Sequence, residues 1–277
     1  MKQLIEITTN VGCRNNCVYC PQKTIVSSYK KISDNMMMSF DVFCKCLNSL
    51  PGDMMIVFCG MSEPWLNKKT TDMVLHAYNL GFPVAVNTTL AGMTKNDVLL
   101  LENVDFDYFS IHLPNENEKF MVKSDYVDLL DFVCSHIKDL DLTYFFSLDK
   151  DLEKIIFNYG YTPVCRKFVS RAGSLYVPKH RSGKGFCVSN QMNVHIVFPN
   201  GDVFLCCMDY GLQVKLGNLL YDSYDDLHQS KTWFDIKKSQ KLSDSDIICR
   251  SCEYFIPYFS FQFFEYVAKK YLVKKRL

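Results

Sequence analysis

The amino-acid sequence predicts an α/β fold, in which a parallel sheet curls into an open, partial (β/α)6 barrel. From residue 1 to about residue 170, six short runs of β-branched or aromatic residues alternate with five segments of helical periodicity. This alternation is typical of repeated strand-helix units. Because strand-helix-strand connections are almost always right-handed, successive units curl the sheet in one direction. Beyond residue 170 the pattern changes, so a second, smaller domain is expected.

Each predicted element of the barrel follows from its local pattern. The strands are the short apolar runs Leu4–Thr8, Met54–Cys59, Val84–Asn87, Tyr108–His112, Leu142–Ser147 and Val164–Val169. The helices are the longer amphipathic segments between them, Ser39–Leu50, Lys69–Leu80, Lys95–Leu101, Asp125–Ile137 and Asp149–Tyr159. Ligands of such folds bind at the carboxyl ends of the strands, so the loops that follow the strands are the first place to look for a site.

The part of the chain after residue 170 divides into three segments. Residues 171–186 are rich in Gly, Lys and Arg without periodicity and are interpreted as a linker. In residues 187–256, the strand-like runs Met192–Phe198 and Asp202–Cys206 flank Asn200-Gly201, a dipeptide that strongly favours a hairpin. A helix is expected over Asp222–Lys238. Residues 257–277 are expected to form a C-terminal helix.

Composition excludes several classes of function. The 277 residues carry 31 basic and 30 acidic side chains, and the pI is about 7.5, so the chain lacks the basic surface that nucleic-acid binding requires. The richest apolar stretch is interrupted by charged residues, which argues against a membrane span. The first residues lack the pattern of a secretory signal. We therefore expect a cytoplasmic protein with a small-molecule substrate and with neither nucleic acid nor membrane as partner.

Thirteen cysteines make metal or redox chemistry the leading hypothesis. Cys13, Cys17 and Cys20 form a C-x-x-x-C-x-x-C pattern on the loop after the first strand. Three thiolates can hold three irons of a [4Fe-4S] cluster and leave the fourth iron open to a substrate or cofactor. The alternatives are a structural zinc site, which normally has four ligands, and a disulfide, which a reducing compartment disfavours.

This loop, with Tyr19 just before the last cysteine, resembles the signature of the radical S-adenosylmethionine (radical SAM) superfamily. The resemblance implies that the open iron binds S-adenosylmethionine (AdoMet). It further implies that one-electron reduction, by a donor of the flavodoxin or ferredoxin type, releases a 5′-deoxyadenosyl radical that abstracts hydrogen from a substrate. The chemistry then belongs to the cofactor, which the protein binds and orients.

Two further segments resemble AdoMet-binding motifs of that superfamily. Phe58–Pro64, after the second strand, is similar to the Gly-Gly-Glu-Pro motif, with Ser62 in place of a glycine. The resemblance assigns Gly60, Ser62, Glu63 and Pro64 to the amino group of AdoMet, although Ser-Glu-Pro by itself is more often an ordinary loop or helix start. Asn87 and Thr88 similarly resemble a segment near the methionine or ribose, while an Asn that caps the next turn is the structural alternative.

A second set of cysteines lies in the C-terminal part. Cys249-x-x-Cys252 by itself could be a zinc knuckle or a redox pair. Together with the hairpin and with Cys187, it resembles the SPASM domain or its shortened form, twitch, which implies that Cys187, Cys206, Cys249 and Cys252 hold an auxiliary [4Fe-4S] cluster. The resemblance favours Cys206 over Cys207 as ligand. The remaining cysteines are interpreted as ordinary buried thiols: Cys44, Cys46, Cys59, Cys134, Cys165 and Cys207.

Two residues are candidates for contact with the substrate. The run Arg171–Leu175, followed by Cys187, resembles the aminocyclitol dehydrogenases of the superfamily, as in butirosin biosynthesis, and this implies that Arg171 lies at the substrate. A solvated charge or an ion pair is the alternative. His112 ends the fourth strand, where a histidine with a pKa near neutrality could take a hydroxyl proton, unless it only fixes the loop.

These observations predict a radical SAM oxidoreductase that abstracts hydrogen from a sugar, an aminocyclitol or another alcohol, with the auxiliary cluster as electron acceptor. The first alternative is modification of a ribosomally made peptide or protein side chain. The early start of the first strand argues against it, because it leaves no room for an N-terminal peptide-recognition domain. The second alternative is a non-catalytic iron-sulfur or zinc scaffold.

Overall fold

A nine-stranded sheet lies at the centre of the computed structural model, which describes residues 3–15, 17–115, 124–188 and 193–274. Its strand order is β10-β9-β8-β1-β2-β3-β4-β5-β6. The strands are β1 Leu4–Ile7, β2 Met55–Phe58, β3 Val84–Thr88, β4 Tyr108–His112, β5 Leu140–Tyr144, β6 Val164–Cys165, β7 Gly185–Cys187, β8 Val194–Val197, β9 Asp202–Phe204, β10 Lys215–Asn218 and β11 Phe255–Pro257. The helices are α1 Gln22–Tyr29, α2 Phe40–Asn48, α3 Thr70–Asn79, α4 Lys95–Leu101, α5 Ser124–His136, α6 Lys150–Asn158, α7 Tyr224–Gln229, α8 Lys231–Gln240 and α9 Phe261–Lys274.

The predicted fold class is confirmed: β1 to β6 pair in parallel and in the order of the chain. Side chains alternate between the two faces of these strands. Ile5, Ile7, Ile56 and Phe58 belong to the main core between sheet and helices. Met55, Val57, Cys59 and Ala85 form a separate cluster on the opposite face, which is the inside of the barrel. We call this inner space the lumen. The strands that surround the lumen carry the polar side chains described below.

The C-terminal hairpin is joined to the barrel, which local patterns did not predict. β8 and β9 pair across a turn in which Gly201 has a φ of +83°, as the Asn-Gly signal predicts. In addition, β8 pairs in parallel with β1, so the second domain extends the barrel sheet. β7 and β11 form a small antiparallel sheet of their own. The predicted start of the hairpin at Met192 lies outside the described residues.

Several predicted boundaries are wrong for identifiable reasons. The sixth strand was expected to reach Val169, but pairing ends after Cys165 because β5 itself ends at Tyr144. The helix expected over Asp222–Lys238 is two helices, because Ser230 is extended and its hydroxyl accepts a hydrogen bond from the amide of Trp233. Helix α1, which directly follows the cysteine loop, was not predicted.

Among the described residues, no helix is both long enough and apolar enough to span a bilayer.

Candidate functional site

The cysteine loop after β1 is held in place by Gln22, the first residue of α1. Its amide nitrogen Nε2 donates to the carbonyl of Met61 at 2.7 Å and to the sulfur of Cys20 at 3.1 Å. Its carbonyl Oε1 accepts from the backbone amide of Cys13 at 3.0 Å. One side chain therefore connects the first and last cysteines of the loop to the segment after β2. Sequence reasoning missed Gln22, because a glutamine two residues after a cysteine carries no recognisable signal.

The three loop cysteines line a cavity of about 140 Å³ at the carboxyl ends of the strands. The structure brings together there most of the predicted site residues: Cys13, Cys17, Tyr19, Cys20, Gly60, Ser62, Glu63, Asn87, Thr88, His112 and Arg171. Pro64 is buried just beyond it, where its carbonyl accepts from the hydroxyls of Thr9 and Thr70. Three thiols that face open space form a donor set that fits a cluster with three protein ligands.

Tyr19 forms an aromatic wall of this cavity. Its ring stacks on that of Phe145 with centroids 4.1 Å apart, and both rings lie near the imidazole of His112, at 6.5 and 6.1 Å. Tyr19 and Phe145 are buried together with Cys17 in one small apolar cluster. The wall shields the thiol-lined space from water on that side, and exclusion of water suits reactive chemistry.

The segment after β2 is locked against the cysteine loop. Gly60 has a φ of +60°, and a Cβ atom at this position would lie 2.1 Å from Oγ1 of Thr8. Ser62, which stands where a glycine was expected, donates its hydroxyl to the carbonyl of Gly12 at 3.2 Å and accepts from Nδ2 of Asn10 at 2.9 Å. The serine therefore connects the two loops.

Glu63 is buried, and its own chain saturates its carboxylate. Oε1 accepts from the hydroxyl of Thr88 at 2.6 Å and from the amide of Trp65 at 3.4 Å. Oε2 accepts from the amide and hydroxyl of Thr89 at 2.6 and 2.7 Å. Burial raises the pKa of Glu63 and these hydrogen bonds counteract the shift. The carboxylate thus fixes the end of β3 beside the cavity.

Asn87 projects into the lumen. Its Nδ2 lies 3.3 Å from the hydroxyl of Tyr108, to which it donates, so its side chain faces the next strand of the barrel instead of capping a turn.

His112 lies in the cavity as expected, but its predicted pKa near neutrality is wrong. Burial, together with the positive charges of Arg171 and Arg166, lowers its pKa to about 4. The imidazole is therefore neutral at physiological pH. It can accept a hydrogen bond but is a poor acceptor of a full proton.

Arg171 closes the cavity from the side of the second domain. Its φ of +53° places it in a left-handed turn with Ala172 and Gly173. Nε donates to the carbonyl of Tyr19 at 3.3 Å. The alternative of a solvated charge at a strand end is wrong, because the side chain lines the cavity and contacts the cysteine loop. A guanidinium in this position presents several further donors to a bound molecule.

A second, apolar cavity lies in the C-terminal domain and is lined by Cys187, Cys206, Cys249 and Cys252. The four thiols converge from three parts of the chain: β7, the residues after β9, and a short 3₁₀ helix at Ile248–Ser251 together with Cys252, which directly follows it. All thirteen cysteines are described and none forms a disulfide. Among the described residues, no group of three or more Cys, His, Asp or Glu is arranged to hold a single metal ion. Four thiols around an apolar space fit a closed [4Fe-4S] cluster.

Adjacent residues face opposite cavities. Cys206 lines the four-thiol cavity, whereas the thiol of the next residue, Cys207, interacts with Glu6 and Arg171 on the lumen side. In the same way, Arg171 lines the first cavity and Ala172 lines the second. The wall between the two cavities is thus formed at one point by the adjacent residues Arg171 and Ala172, and Cys207 lies on its lumen side. The expectation that the spare cysteines are all buried is wrong for Cys165, which is exposed on the edge strand β6.

Besides Gln22, three polar side chains around the two cavities were not singled out from the sequence. The hydroxyl of Tyr210 lies 3.8 Å from the sulfur of Cys20. Glu6 interrupts the apolar strand β1 with a carboxylate, and this interruption is a signal that the sequence did offer. Arg250 stands between two cluster cysteines and is almost completely buried. In the sequence it reads only as a spacer of the C-x-x-C pattern.

Comparison with known proteins supports the assignment of the second cavity. The model of the SPASM family, described as an iron-sulfur cluster-binding domain, matches residues 187–253. We call the matched residues 187–253 the SPASM domain below. The matched segment contains all four cysteines that line the second cavity. No curated protein sequence matches the chain significantly.

Several solved structures have the same overall fold, and their matches cover most of this chain. BtrN in complex with AdoMet and 2-DOIA has 17% identity and a TM-score of 0.58, and the match covers 88% of each chain. AnSMEcpe with bound AdoMet and the Cp18Cys peptide has 14% identity and a TM-score of 0.57 over 90% of this chain and 86% of that one. Streptococcus suis SuiB bound to the precursor peptide SuiA has 10% identity and a TM-score of 0.62 over 91% and 70%. The chain has the fold of radical SAM enzymes that carry a SPASM or twitch domain.

The choice between Cys206 and Cys207 can be tested in the SPASM domain. We expect Cys206→Ser to lower bound iron from about eight to about four per chain, because only Cys206 lines the four-thiol cavity. Cys207→Ser is the matched control and should retain about eight irons. Iron analysis after anaerobic reconstitution measures both. If Cys207→Ser lost four irons and Cys206→Ser none, the assignment would be reversed.

Proposed function

We propose that the protein is a radical SAM oxidoreductase that oxidises an alcohol carbon of a small polar substrate to a carbonyl, a two-electron reaction that takes one hydrogen from the carbon and one from its hydroxyl group. The thin wall between the two thiol-lined cavities is the observation that carries this proposal, because it brings a site for hydrogen abstraction close to a site that can accept an electron.

In this proposal the three loop cysteines hold a [4Fe-4S] cluster with an open iron, and Gly60 to Pro64 with Asn87 and Thr88 border the space for AdoMet. Once bound and reduced, these groups supply a 5′-deoxyadenosyl radical. Gln22 and Ser62 hold the two loops together around that space. Tyr19 and Phe145 keep water away from it. AdoMet bound to the similar BtrN and anSMEcpe structures supports this assignment.

The substrate would lie between the lumen and the SPASM domain. Arg171 donates hydrogen bonds to it, and the neutral imidazole of His112 accepts one. A lumen with charged and amide side chains suits a polar molecule better than an apolar one, because groups buried against such a surface need hydrogen-bond partners. The 2-DOIA bound to BtrN supports a small-molecule substrate.

The SPASM domain would take the second electron. Cys206 and Cys207 are consecutive, and their side chains face the auxiliary site and the lumen respectively. An electron that leaves the substrate at the lumen therefore needs to cross only this wall. A closed cluster with four thiolate ligands has no open iron and suits electron transfer.

The experiment is anaerobic reconstitution, reduction with dithionite and detection of 5′-deoxyadenosine. We expect wild-type protein to cleave AdoMet and the triple variant Cys13→Ala, Cys17→Ala, Cys20→Ala to lose this activity, because the alanines remove all three ligands of the first cluster. A protein changed at Cys44, Cys134 and Cys165 to alanine is the matched control, since these thiols lie outside both cavities.

The oxidation itself is tested with ring-deuterated cyclitols and aminocyclitols. Transfer of deuterium into 5′-deoxyadenosine with formation of a ketone supports the proposal. Persistent AdoMet cleavage in the triple cysteine variant would contradict the proposal that these three cysteines hold the cluster that binds AdoMet. Cleavage in wild-type protein without transfer from any of these alcohols would contradict the substrate class.

A further inference from the structure

The lumen contains three buried polar atoms that have no hydrogen-bond partner among the described residues. They are Oε2 of Glu6, Oγ of Ser110 and Oγ1 of Thr143. Buried polar atoms are nearly always satisfied, so each unsatisfied one calls for an explanation. A bound molecule with hydroxyl groups would satisfy all three.

The three atoms belong to strands β1, β4 and β5, on the inner face of the barrel. Ile5 and Ile7 beside Glu6, Phe109 and Ile111 beside Ser110, and Leu142 beside Thr143 all pack in the outer core. Because side chains alternate along a strand, the three polar side chains must point into the lumen. Thr143 is paired with His112, which lines the first cavity. The three polar side chains therefore lie on the same face of the sheet as His112, which borders that cavity.

Groups on both sides of the lumen act electrostatically on Glu6. The thiol of Cys59, which lines the cavity, donates a hydrogen bond to its carboxylate. The positive charge of Arg171 acts on Glu6 from the SPASM side, and the thiol of Cys207 and the hydroxyl of Tyr108 also lie within electrostatic range. Glu6 is partly accessible through the lumen, although its Oε2 is buried.

The environment tunes Glu6 for proton transfer at neutral pH. Burial raises the pKa of Glu6 to about 7, although the Cys59 hydrogen bond and Arg171 act in the opposite direction. The pKa of His112 is instead lowered to about 4. Two titratable groups at one site with pKa values moved in opposite directions indicate different roles. Since an efficient base has a pKa near the working pH, Glu6 is the better base of the two.

We propose that Glu6 is the general base that accepts the hydroxyl proton of the substrate, and that Ser110 and Thr143 bind further hydroxyl groups of the same molecule. The inference rests on the proposed function and deepens it, because it identifies the substrate as a polyhydroxylated compound. The hydrogen on carbon goes to 5′-deoxyadenosine, the hydroxyl proton goes to Glu6, and the remaining electron goes to the auxiliary cluster. The C–H and O–H bonds break and a C=O bond forms, so atoms and electrons balance.

The test compares wild type with Glu6→Gln, which removes the charge and keeps the shape. The probe is a ring-deuterated cyclitol from which wild-type protein transfers deuterium. We expect deuterium transfer into 5′-deoxyadenosine to persist in Glu6→Gln, while ketone formation falls by about a hundredfold, because general-base catalysis contributes about 10² or more. Glu6→Asp should restore part of the ketone. Ser110→Ala should raise KM and leave the ratio of ketone to 5′-deoxyadenosine unchanged.

Stability measurements show whether Glu6→Gln is folded. The pKa of Glu6 is higher in the native state, at about 7, than its ordinary value of 4.5, so the native state binds more protons between these values. Wild-type stability should therefore fall as the pH rises through this window, and Glu6→Gln should lack that fall. At pH 8 the variant should unfold at a temperature no lower than that of wild type.

The outcomes separate the two proposals. Deuterium transfer with little ketone in Glu6→Gln supports the role of Glu6. Transfer with an unchanged ketone ratio overturns that role and leaves the proposed function standing. Absence of transfer from every cyclitol in wild-type protein overturns the proposed function, and the inference about Glu6 falls with it.

Discussion

Gly60→Ala is expected to destabilise the protein by about 2 to 5 kcal/mol and to abolish AdoMet binding. At the φ of +60° that Gly60 adopts, a side chain is strained whatever its surroundings. Its Cβ would also lie 2.1 Å from Oγ1 of Thr8 and 2.7 Å from the Cα of the same residue. Rotation of the Thr8 side chain cannot remove the second contact, so β1 or the segment after β2 must move. Either movement displaces the cavity that both segments border.

Gly81→Ala is the matched control, because it has the backbone strain of a positive φ without a steric clash like that between Gly60→Ala and Thr8. Gly81 has a φ of +87°, and nothing lies within 4 Å of the position that its Cβ would occupy. This variant should lose only about 1 to 2 kcal/mol and bind AdoMet like wild type. Urea unfolding and equilibrium dialysis with labelled AdoMet measure the two effects. Equal losses of stability in both variants would mean that the contact with Thr8 is unimportant.

The local elements of the barrel could be predicted because their signals are local. Apolar runs of strand length and amphipathic helices mark β1 to β5 and α2 to α6, and Asn200-Gly201 marks the hairpin turn. The pairing of β8 with β1 could not be predicted, because it joins residues 190 positions apart and depends on which edge of the sheet is free. β7 and β11 were also not predicted, because strands of only three residues leave no recognisable pattern.

The candidate site shows the same difference between local signals, which the sequence carries, and contacts between distant segments, which it does not. Cysteine spacing identifies the ligands, because a cluster requires particular residues at short intervals. The groups that surround the ligands come from distant segments. Tyr210 lies 190 positions from Cys20, and Cys207 reaches Glu6 only after the SPASM domain has folded against the barrel. The pKa of His112 was mispredicted because it depends on burial and on Arg166 and Arg171, whose positions a pattern cannot give.

Arg250→Met is expected to destabilise the SPASM domain by about 3 to 5 kcal/mol and to remove the auxiliary cluster. The guanidinium donates to the carbonyls of Arg181 and Leu242 at 3.1 and 2.8 Å, and further donors reach Gly183, Ser239 and Ser245. It also lies 4.7 Å from the ring centroid of Phe255, which lines the four-thiol cavity. Methionine would leave these carbonyls buried without donors, and burial of unpaired polar groups is costly.

Arg250 connects the linker to the end of α8 and the residues after it. Its loss should therefore displace Cys249 and Cys252 from the positions at which they face Cys187 and Cys206. Bound iron should therefore fall from about eight to about four per chain, while AdoMet cleavage at the first site persists. Arg250→Lys should be intermediate, because one ammonium group keeps the charge but has only three donors. Lys184→Met, an exposed change on the same linker, should alter stability by no more than about 0.5 kcal/mol. Retention of about eight irons by Arg250→Met would show that the four-thiol site forms without these hydrogen bonds.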